Sequence, residues 1–332
     1  MNFYVYQQMT LQTKRCSLAA AQEFAMYFIS QRNYWYGDDE LEENPLYQFC
    51  QLAELILDET VKVTGSADDY HNIAVAYAKE NLKDYACDIL EKGLRVFPDS
   101  TDLLADYLQY GLSCGKAKEC SEYFRRLSDI SKALWTWRGF MFSVEYLLES
   151  LNLAGFNKPN RSEIFSLAED FLKKRPFDEE ADFTLAKAHH AYGEEDDERK
   201  VLENALKRHS VAAKCALRLA DITFERGEYA NTIQYAKRAI KNAVQPQHPV
   251  KIGYCYLLIA LSQISILLEE ETDSKATDSE QVKQKVEEIY ENAHIAMNDG
   301  ELNSALLFNL KRILKIVEMQ FAIDNPYADE IE

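Results

Sequence analysis

The sequence predicts an all-α protein built from antiparallel helix pairs, and three observations lead to this fold class. Small and apolar residues recur at helical spacing, as Ala216, Leu219, Ala220 and Thr223 do. Breaks such as Gly227 interrupt and restart the pattern, as a tight turn between two helices would. The 332 residues include only 11 glycines and 7 prolines, and 28% of them are charged, a balance that favours helices.

Residues 213–242 show this organisation most clearly. The first stripe ends before Gly227, and Tyr229 begins a second one. The second stripe consists of Ile233, Tyr235, Ala236, Ala239 and Ile240. This order of small and aromatic residues resembles one unit of a tetratricopeptide repeat, whose pattern W-x2-L-G-x2-Y, A-x3-F and P extends over about 34 residues.

A second stretch, residues 67–100, fits the same repeat. The matching residues are Tyr70, Ala74, Tyr77, Ala86, Leu90, Gly93 and Pro98. Ala74 and Ala86 are small enough for two helices to approach closely, and Tyr77 fills the gap between them. The resemblance covers residues 67–243 and is less clear beyond them. It implies a right-handed superhelical solenoid of about seven helix pairs with a C-terminal capping helix.

The order of the elements predicts three regions. Residues 1–66 hold a segment at 3–9, which is either an arm on the first helices or a disordered start, and a helix pair that is either a degenerate repeat or a cap. Residues 67–243 form the tetratricopeptide-like array. Residues 244–332 hold a helix pair around a mobile acidic loop at 269–280, the capping helix at 302–323 and a short acidic tail.

Several positions of the array depart from the repeat consensus. Arg138, Thr232 and Glu198 stand where small or apolar residues are usual, which predicts irregular packing at these places. The helix around Trp135 and Gly139 is expected to begin at Leu134.

The composition argues against several classes of partner and against an oxidising compartment. The formal charge of −18 repels nucleic acids and anionic membrane surfaces. No stretch is expected to reach the roughly 18 apolar residues of a membrane helix. The seven cysteines contain no C-x-x-C pair, and Cys87 and Cys120 are expected to be reduced core thiols. Without an apparent signal peptide, these observations predict a cytoplasmic protein.

The resemblance implies a role in protein binding, because stacked helix pairs form a concave groove lined by the first helix of each pair. The residues expected to line this groove are Trp137, Phe140, Lys187, His190, Lys214 and Arg218. Together they would form an aromatic floor beside a basic strip, which suits an acidic or aromatic peptide. The alternative is that Trp137 and Phe140 pack against a neighbouring helix.

Two more specific activities are not predicted. The carboxylate clamp found in one subset of the family uses Lys, Asn and Arg, but Thr184 stands where Asn is required, and one unit earlier Thr136 and Phe140 replace Lys and Asn. His189 and His190 are adjacent and point about 100° apart on a helix, so they cannot chelate one metal together. No catalytic motif occurs, and neither a cofactor nor a metal is expected.

The predicted function is therefore that of a non-catalytic scaffold or adaptor, in its simplest version one subunit of a larger complex. The alternative is a regulatory subunit that changes shape when a peptide enters the groove. An enzyme is the least favoured reading of the sequence.

Overall fold

The computed structural model describes residues 66–79, 81–153, 158–243, 250–273, 279–298 and 302–327. Within these ranges the chain forms thirteen α-helices and no strand, so the fold is all-α. The expected arm, helices and acidic loop between residues 3 and 63 lie outside the described ranges.

The helices are labelled here in chain order. In the first half they are α1 Ala67–Lys79, α2 Lys83–Val96, α3 Thr101–Gly111, α4 Ala117–Asp129, α5 Trp137–Ser150 and α6 Arg161–Lys174. In the second half they are α7 Glu179–Ala191, α8 Glu195–Arg208, α9 Ala213–Glu225, α10 Tyr229–Asn242, α11 Ile252–Asp273, α12 Ser279–Asn298 and α13 Ser304–Phe321. Short 3-10 turns occur at Leu112–Cys114 and Lys132–Leu134.

The chain divides into two compact units, the first ending at Phe171 and the second beginning at Leu172. In unit 1, α1 packs on α2 and α3 on α4, and the first helices α1, α3 and α5 pack on one another in sequence. In unit 2 the pairs are α7 with α8, α9 with α10 and α11 with α12, and α7, α9 and α11 likewise lie side by side. This repeated contact between first helices is the packing of a helical-repeat solenoid.

The signature residues of the first described pair lie in its core. Tyr70, Ala74, Tyr77, Ala86 and Leu90 are at most 3% exposed. The two alanines are fully buried where α1 and α2 approach each other, as the sequence predicts. The consensus pattern therefore reflects close helix packing in this pair.

Gly93 of α2 shows how tight this packing is. A Cβ at this position would lie 2.8 Å from Tyr70 Cγ and 2.9 Å from Leu103 Cδ1. Both distances are shorter than carbon atoms tolerate, so only glycine permits the approach of α1 and α3 to α2.

A buried hydroxyl pair joins α9 and α10, the pair with the clearest repeat pattern. Thr232 Oγ1 donates to Thr223 Oγ1 over 3.0 Å, and both residues are fully buried. The Thr223 hydroxyl in turn donates to the Leu219 carbonyl over 2.8 Å. Thr232 thus finds a polar partner inside the pair, and its departure from the consensus does not disturb the packing.

The hairpin of α11 and α12 differs from the sequence expectation. α11 continues to Asp273 and α12 begins at Ser279, so much of the expected loop at 269–280 is helical. The stretch Ile252–Glu270 of α11 is also long and apolar enough to cross a membrane by length and composition, which corrects the expectation that no stretch is. In the structure half of this stretch is buried, and α11 packs against α10 and α12.

Candidate partner-binding surface

The first helices of unit 2, together with Glu198 of α8, carry a row of polar side chains, here called the unit 2 polar strip. It consists of Glu180 and His190 on α7, Glu198 on α8, Lys214, Arg218 and Asp221 on α9, and Tyr254 on α11. Lys214, Arg218 and Asp221 follow one another at spacings of four and three residues, which places them on one face of α9. The strip contains three of the residues that the sequence analysis assigned to the groove, namely His190, Lys214 and Arg218.

The centre of the strip is an ion pair between α9 and α8. Arg218 Nε donates to Glu198 Oε1 over 2.6 Å, and the Glu198 side chain is only 2% exposed. Arg218 Nη2 also lies 2.9 Å from His190 Nδ1. Burial alone would lower the pKa of Arg218, but the hydrogen bond and charge of Glu198 outweigh it and raise that pKa. Glu198 is therefore a structural partner of Arg218, which explains its departure from the consensus.

A second ion pair joins α7 and α9 near the start of both helices. Lys214 Nζ donates to Glu180 Oε1, with the two side chains 27% and 16% exposed. The neighbouring Glu179 is buried and its Oε1 accepts a hydrogen bond from the Cys215 backbone N–H over 2.8 Å. Because Ala212 at the N-cap of α9 has no side-chain cap, Glu179 supplies the acceptor that the first turn of α9 needs.

A third contact extends the strip from α9 to α11. The Tyr254 hydroxyl donates to Asp221 Oδ1 over 2.9 Å. Burial raises the pKa of Asp221, and the Tyr254 hydrogen bond and the Arg218 charge oppose this effect. Burial and the Asp221 carboxylate raise the pKa of Tyr254. The tyrosine therefore stays protonated and remains a donor at neutral pH.

The remaining predicted residues of unit 2 are more accessible to a partner. The His190 side chain is 64% exposed, although its Nδ1 lies within reach of Glu198 and Arg218. Lys187 is half-buried, with Nζ 5.2 Å from the centre of the Phe183 ring one turn earlier on α7. This arrangement holds the lysine stem along an aromatic surface.

Unit 1 contains a second group of charges on its first helices. Asp106 of α3 is buried, and its Oδ2 lies 2.6 Å from His71 Nδ1 of α1. Arg138 of α5 lies 3.5 Å from Asp106 and 3.3 Å from Asp102, and its Nη1 is 2.6 Å from His71 Nδ1. Thr136 donates to Asp102. Arg138 thus neutralises two carboxylates. These carboxylates explain why a charged residue is tolerated at a position where the consensus has a small or apolar one.

The two predicted aromatic residues of unit 1 differ in their accessibility. Trp137 is the first residue of α5 and is half-buried. The helix was expected to begin at Leu134, but a 3-10 turn and an extended Thr136 precede it instead. Phe140 is only 2% exposed, and its ring stacks on Phe171 of α6 with centroids 6.1 Å apart. This corrects the expectation that Phe140 lines an accessible groove and favours the alternative of helix packing for this residue.

The two adjacent histidines of α7 point to different partners, as the sequence analysis expected. His189 Nδ1 lies 2.8 Å from Glu194 Oε2, whereas His190 belongs to the unit 2 polar strip. His189, Glu194 and Asp197 bring one potential ligand atom each within 4.8 Å of one another. Asp197 also pairs with Lys200 Nζ at 2.8 Å. A lysine ammonium thus competes for the carboxylate that would complete a metal site.

Comparisons with known proteins bear on the fold. No family model matches the chain, and no curated protein is similar to it in sequence. Among solved structures, PilF from Pseudomonas aeruginosa is similar over 76% of this chain and 97% of its own, with 15% identity and a TM-score of 0.49. A tetratricopeptide repeat protein from Parabacteroides merdae is similar over 78% of this chain and 97% of its own, with 11% identity and a TM-score of 0.47.

A chain of the APC/C hetero-tetramer Cut9–Hcn1 has a TM-score of 0.51 over 94% of this chain and 52% of its own, at 12% identity. At such identities the likeness concerns the fold alone. The repeated packing of first helices in both units agrees with this likeness. The fold is a divergent tetratricopeptide-like array.

The sequence analysis missed Glu180, Asp221 and Tyr254, yet a signal for them exists in the sequence. Glu180 and Lys214 are 34 residues apart, and Asp221 and Tyr254 are 33 apart. These separations match the period of about 34 residues in the repeat, so each contact joins nearly equivalent positions of successive repeats. A search for opposite charges one period apart would have identified Glu180 and Lys214, and a search for hydrogen-bond donors and acceptors at the same spacing would have identified Asp221 and Tyr254.

Proposed function

We propose that this chain is a non-catalytic scaffold or adaptor that holds a partner protein on the first-helix face of unit 2. The tetratricopeptide-like fold suggests a protein-interaction scaffold in general. The observation that carries the more specific proposal is the unit 2 polar strip, which runs across α7, α9 and α11. Its side chains are held by contacts between successive repeats, so they need little ordering when a partner binds.

The partner segment that fits this face is an extended or helical peptide with carboxylates or aromatic rings. Lys187 and His190 offer cationic and aromatic contacts at the margin of the strip, and His190 has a largely exposed side chain. The central charges are neutralised by Glu180 and Glu198, so long-range attraction contributes less than hydrogen bonding and stacking. Trp137 is half-buried on a first helix of unit 1 and is proposed as a contact of that unit by itself, separate from the face on unit 2.

We also propose that the protein works in a reducing compartment such as the cytoplasm. Cys87, Cys120 and Cys215 are buried free thiols. Burial raises the pKa of Cys120 to about 12, with nearby carboxylates and the Cys114 thiol acting in the same direction. Such thiols serve as small core residues, and they persist where glutathione keeps cysteines reduced.

The proposal is tested by affinity capture from a lysate with three forms of the full chain. These are the intact protein, a groove variant with Lys187→Glu and His190→Glu, and a control with Lys207→Glu and Gln234→Glu on the exposed faces of α8 and α10. Thermal melting checks that all three are equally folded. Proteins captured by the intact chain are identified by mass spectrometry. They are then produced as purified proteins, and their binding to each of the three forms is measured directly.

We expect a partner that binds the intact chain and the control but binds the groove variant about tenfold more weakly. Equal binding of one purified partner to all three forms would place its site elsewhere and overturn the proposal.

A further inference from the structure

The last described helix, α13, has two faces of different character. Its buried residues are Leu310, Leu314 and Val317, which belong to the core shared with α11 and α12. On the other side Phe308, Ile316 and Met319 are 67%, 47% and 69% exposed. Most exposed apolar residues occur singly, whereas these three lie on one helix, with Arg312 and Lys315 between them in the sequence, and are here called the α13 stripe.

The spacing of the α13 stripe places its members on one side of the helix. Phe308 and Met319 are separated by about three turns, and Ile316 lies about two turns from Phe308. Asn303 fixes the start of the helix, because its Oδ1 accepts a hydrogen bond from the Leu306 backbone N–H over 2.9 Å. The stripe is therefore presented by a capped and regularly packed helix.

The outer face of α13 is more apolar than that of a capping helix. Arrays of repeats usually end in a helix whose outer face is polar, because an apolar end would cause association. The sequence analysis expected such a cap at residues 302–323. α13 does cover the core of unit 2, but its exposed side carries the α13 stripe among its polar residues.

The charges around the stripe indicate what it binds. Arg312 and Lys315 are exposed on the same side of α13, and Lys311 borders it. The helix contains three basic residues and only one acidic residue, Glu318, in a chain whose formal charge is −18. The face is thus apolar and locally basic, which favours an acidic occupant.

A second copy of this chain fits the face poorly. In a symmetric pair Arg312 and Lys315 of one copy would meet the same residues of the other, and two chains of charge −18 would approach each other. We infer that the α13 stripe is a second docking site, which takes an amphipathic helix of another protein whose apolar residues are flanked by carboxylates. Apolar anchors at spacings of three and four residues would pack on Phe308, Ile316 and Met319, and the carboxylates would pair with Arg312 and Lys315.

The probes for this inference are two synthetic helical peptides of about 20 residues. Both carry leucines at the first and fourth positions of a seven-residue repeat, flanked by glutamates in one peptide and by lysines in the other. Binding of each fluorescein-labelled peptide to the full chain is measured by anisotropy at low and moderate salt. The negative chain should repel the acidic peptide overall, so its binding would report a local basic surface.

Three variants locate the site. Phe308→Ser with Met319→Ser removes the apolar anchors, and Arg312→Glu with Lys315→Glu reverses the charge of the face. Phe177→Ser is the control, because Phe177 lies outside α13 and is 84% exposed. We expect the acidic peptide to bind the intact chain and the Phe177 variant alike, and at least about tenfold more weakly to the other two. The lysine peptide should prefer the charge-reversed variant.

Several outcomes would overturn the inference. Absence of binding by the acidic peptide, or binding that the α13 variants leave unchanged, would show that the stripe is not its site. A dimer in sedimentation that dissociates in the Phe308→Ser, Met319→Ser variant would identify the occupant as a second copy. Loss of peptide binding in the Lys187→Glu, His190→Glu variant, with no loss in the α13 variants, would assign the peptide to the unit 2 polar strip instead.

Discussion

The Arg218 guanidinium donates from Nε to Glu198 Oε1 over 2.6 Å, and that carboxylate is almost fully buried. The pair links the start of α8 to the middle of α9, so it joins two successive helix pairs. A buried carboxylate is costly without its cation, and this cost makes the pair the most sensitive point of the unit 2 polar strip.

Replacing Arg218 by Met should therefore lower the free energy of unfolding by about 2–4 kcal/mol, because Glu198 stays buried without its main partner while the apolar stem is preserved. Adding Glu198→Gln should recover about half of this loss. Urea denaturation of the two single variants and the double variant measures the coupling.

Arg226→Met serves as the control for that experiment. Arg226 pairs with Glu195 and Asp196, whose side chains are 46% and 79% exposed, so solvent screens the pair and its loss should destabilise the protein clearly less than the loss of Arg218. An equal loss for Arg218→Met and Arg226→Met would contradict a special role of the buried pair.

Gly93→Ala should lower the free energy of unfolding by about 1–3 kcal/mol. The added Cβ would lie 2.8 Å from Tyr70 Cγ, and this clash outweighs the roughly 1 kcal/mol that alanine contributes in a helix. At Gly139 the nearest atom, Trp135 Cβ, is 3.3 Å from an added Cβ. Gly139→Ala should consequently be close to neutral, and a chemical denaturation series in which both variants behave alike would refute this packing argument.

Tyr290 should make the protein less stable at alkaline pH. Burial raises the pKa of Tyr290 to about 12, and the carboxylates of Glu318 and Asp324 act in the same direction. An unfolded tyrosine titrates at about 10, so the unfolded state loses its proton first as the pH rises. The stability that this phenol contributes is complete below about pH 10 and is lost between there and about pH 12.

The Tyr290→Phe variant tests this dependence by unfolding at pH 7 and pH 11. At pH 7 the variant should be about 1 kcal/mol less stable, because the Tyr290 hydroxyl donates to the Ile323 carbonyl over 3.0 Å. At pH 11 the difference should shrink or reverse. A difference that is the same at both values would exclude Tyr290 as a source of the alkaline loss.

Zinc should not stabilise the protein through His189, Glu194 and Asp197. Lys200 already pairs with Asp197, and the positive end of the α8 dipole lies next to these ligands. We expect an unchanged melting temperature on addition of excess Zn²⁺. A rise that disappears in a His189→Gln variant would reveal a metal site and contradict the expectation.

Residue pattern alone predicted much of the fold because the repeat consensus records helix contacts directly. Ala74, Ala86 and Gly93 are small where helices approach, and each is buried as the pattern requires. The helix ends were harder to predict. α11 extends to Asp273, although the polar residues from Glu269 onwards resemble a loop in the sequence.

The candidate site was predicted only in part, because side-chain partners depend on how repeats stack. The sequence analysis selected Lys214 and Arg218 for their positions on a first helix, and both lie in the unit 2 polar strip. It could not tell that Glu180 and Glu198 neutralise them, since these carboxylates come from the preceding pair. The period of about 34 residues predicts such pairs only when the alignment of each repeat with the next is known.

The sequence by itself determined the all-α fold class, the pairing of consecutive helices, and the small and aromatic residues that pack between paired helices. These contacts are local and periodic, so the residue pattern contains them. The tertiary structure decided which charges are neutralised, why Phe140 is buried against Phe171, and which side of α13 remains exposed. These properties depend on residues that are distant in sequence and meet only when successive helix pairs stack.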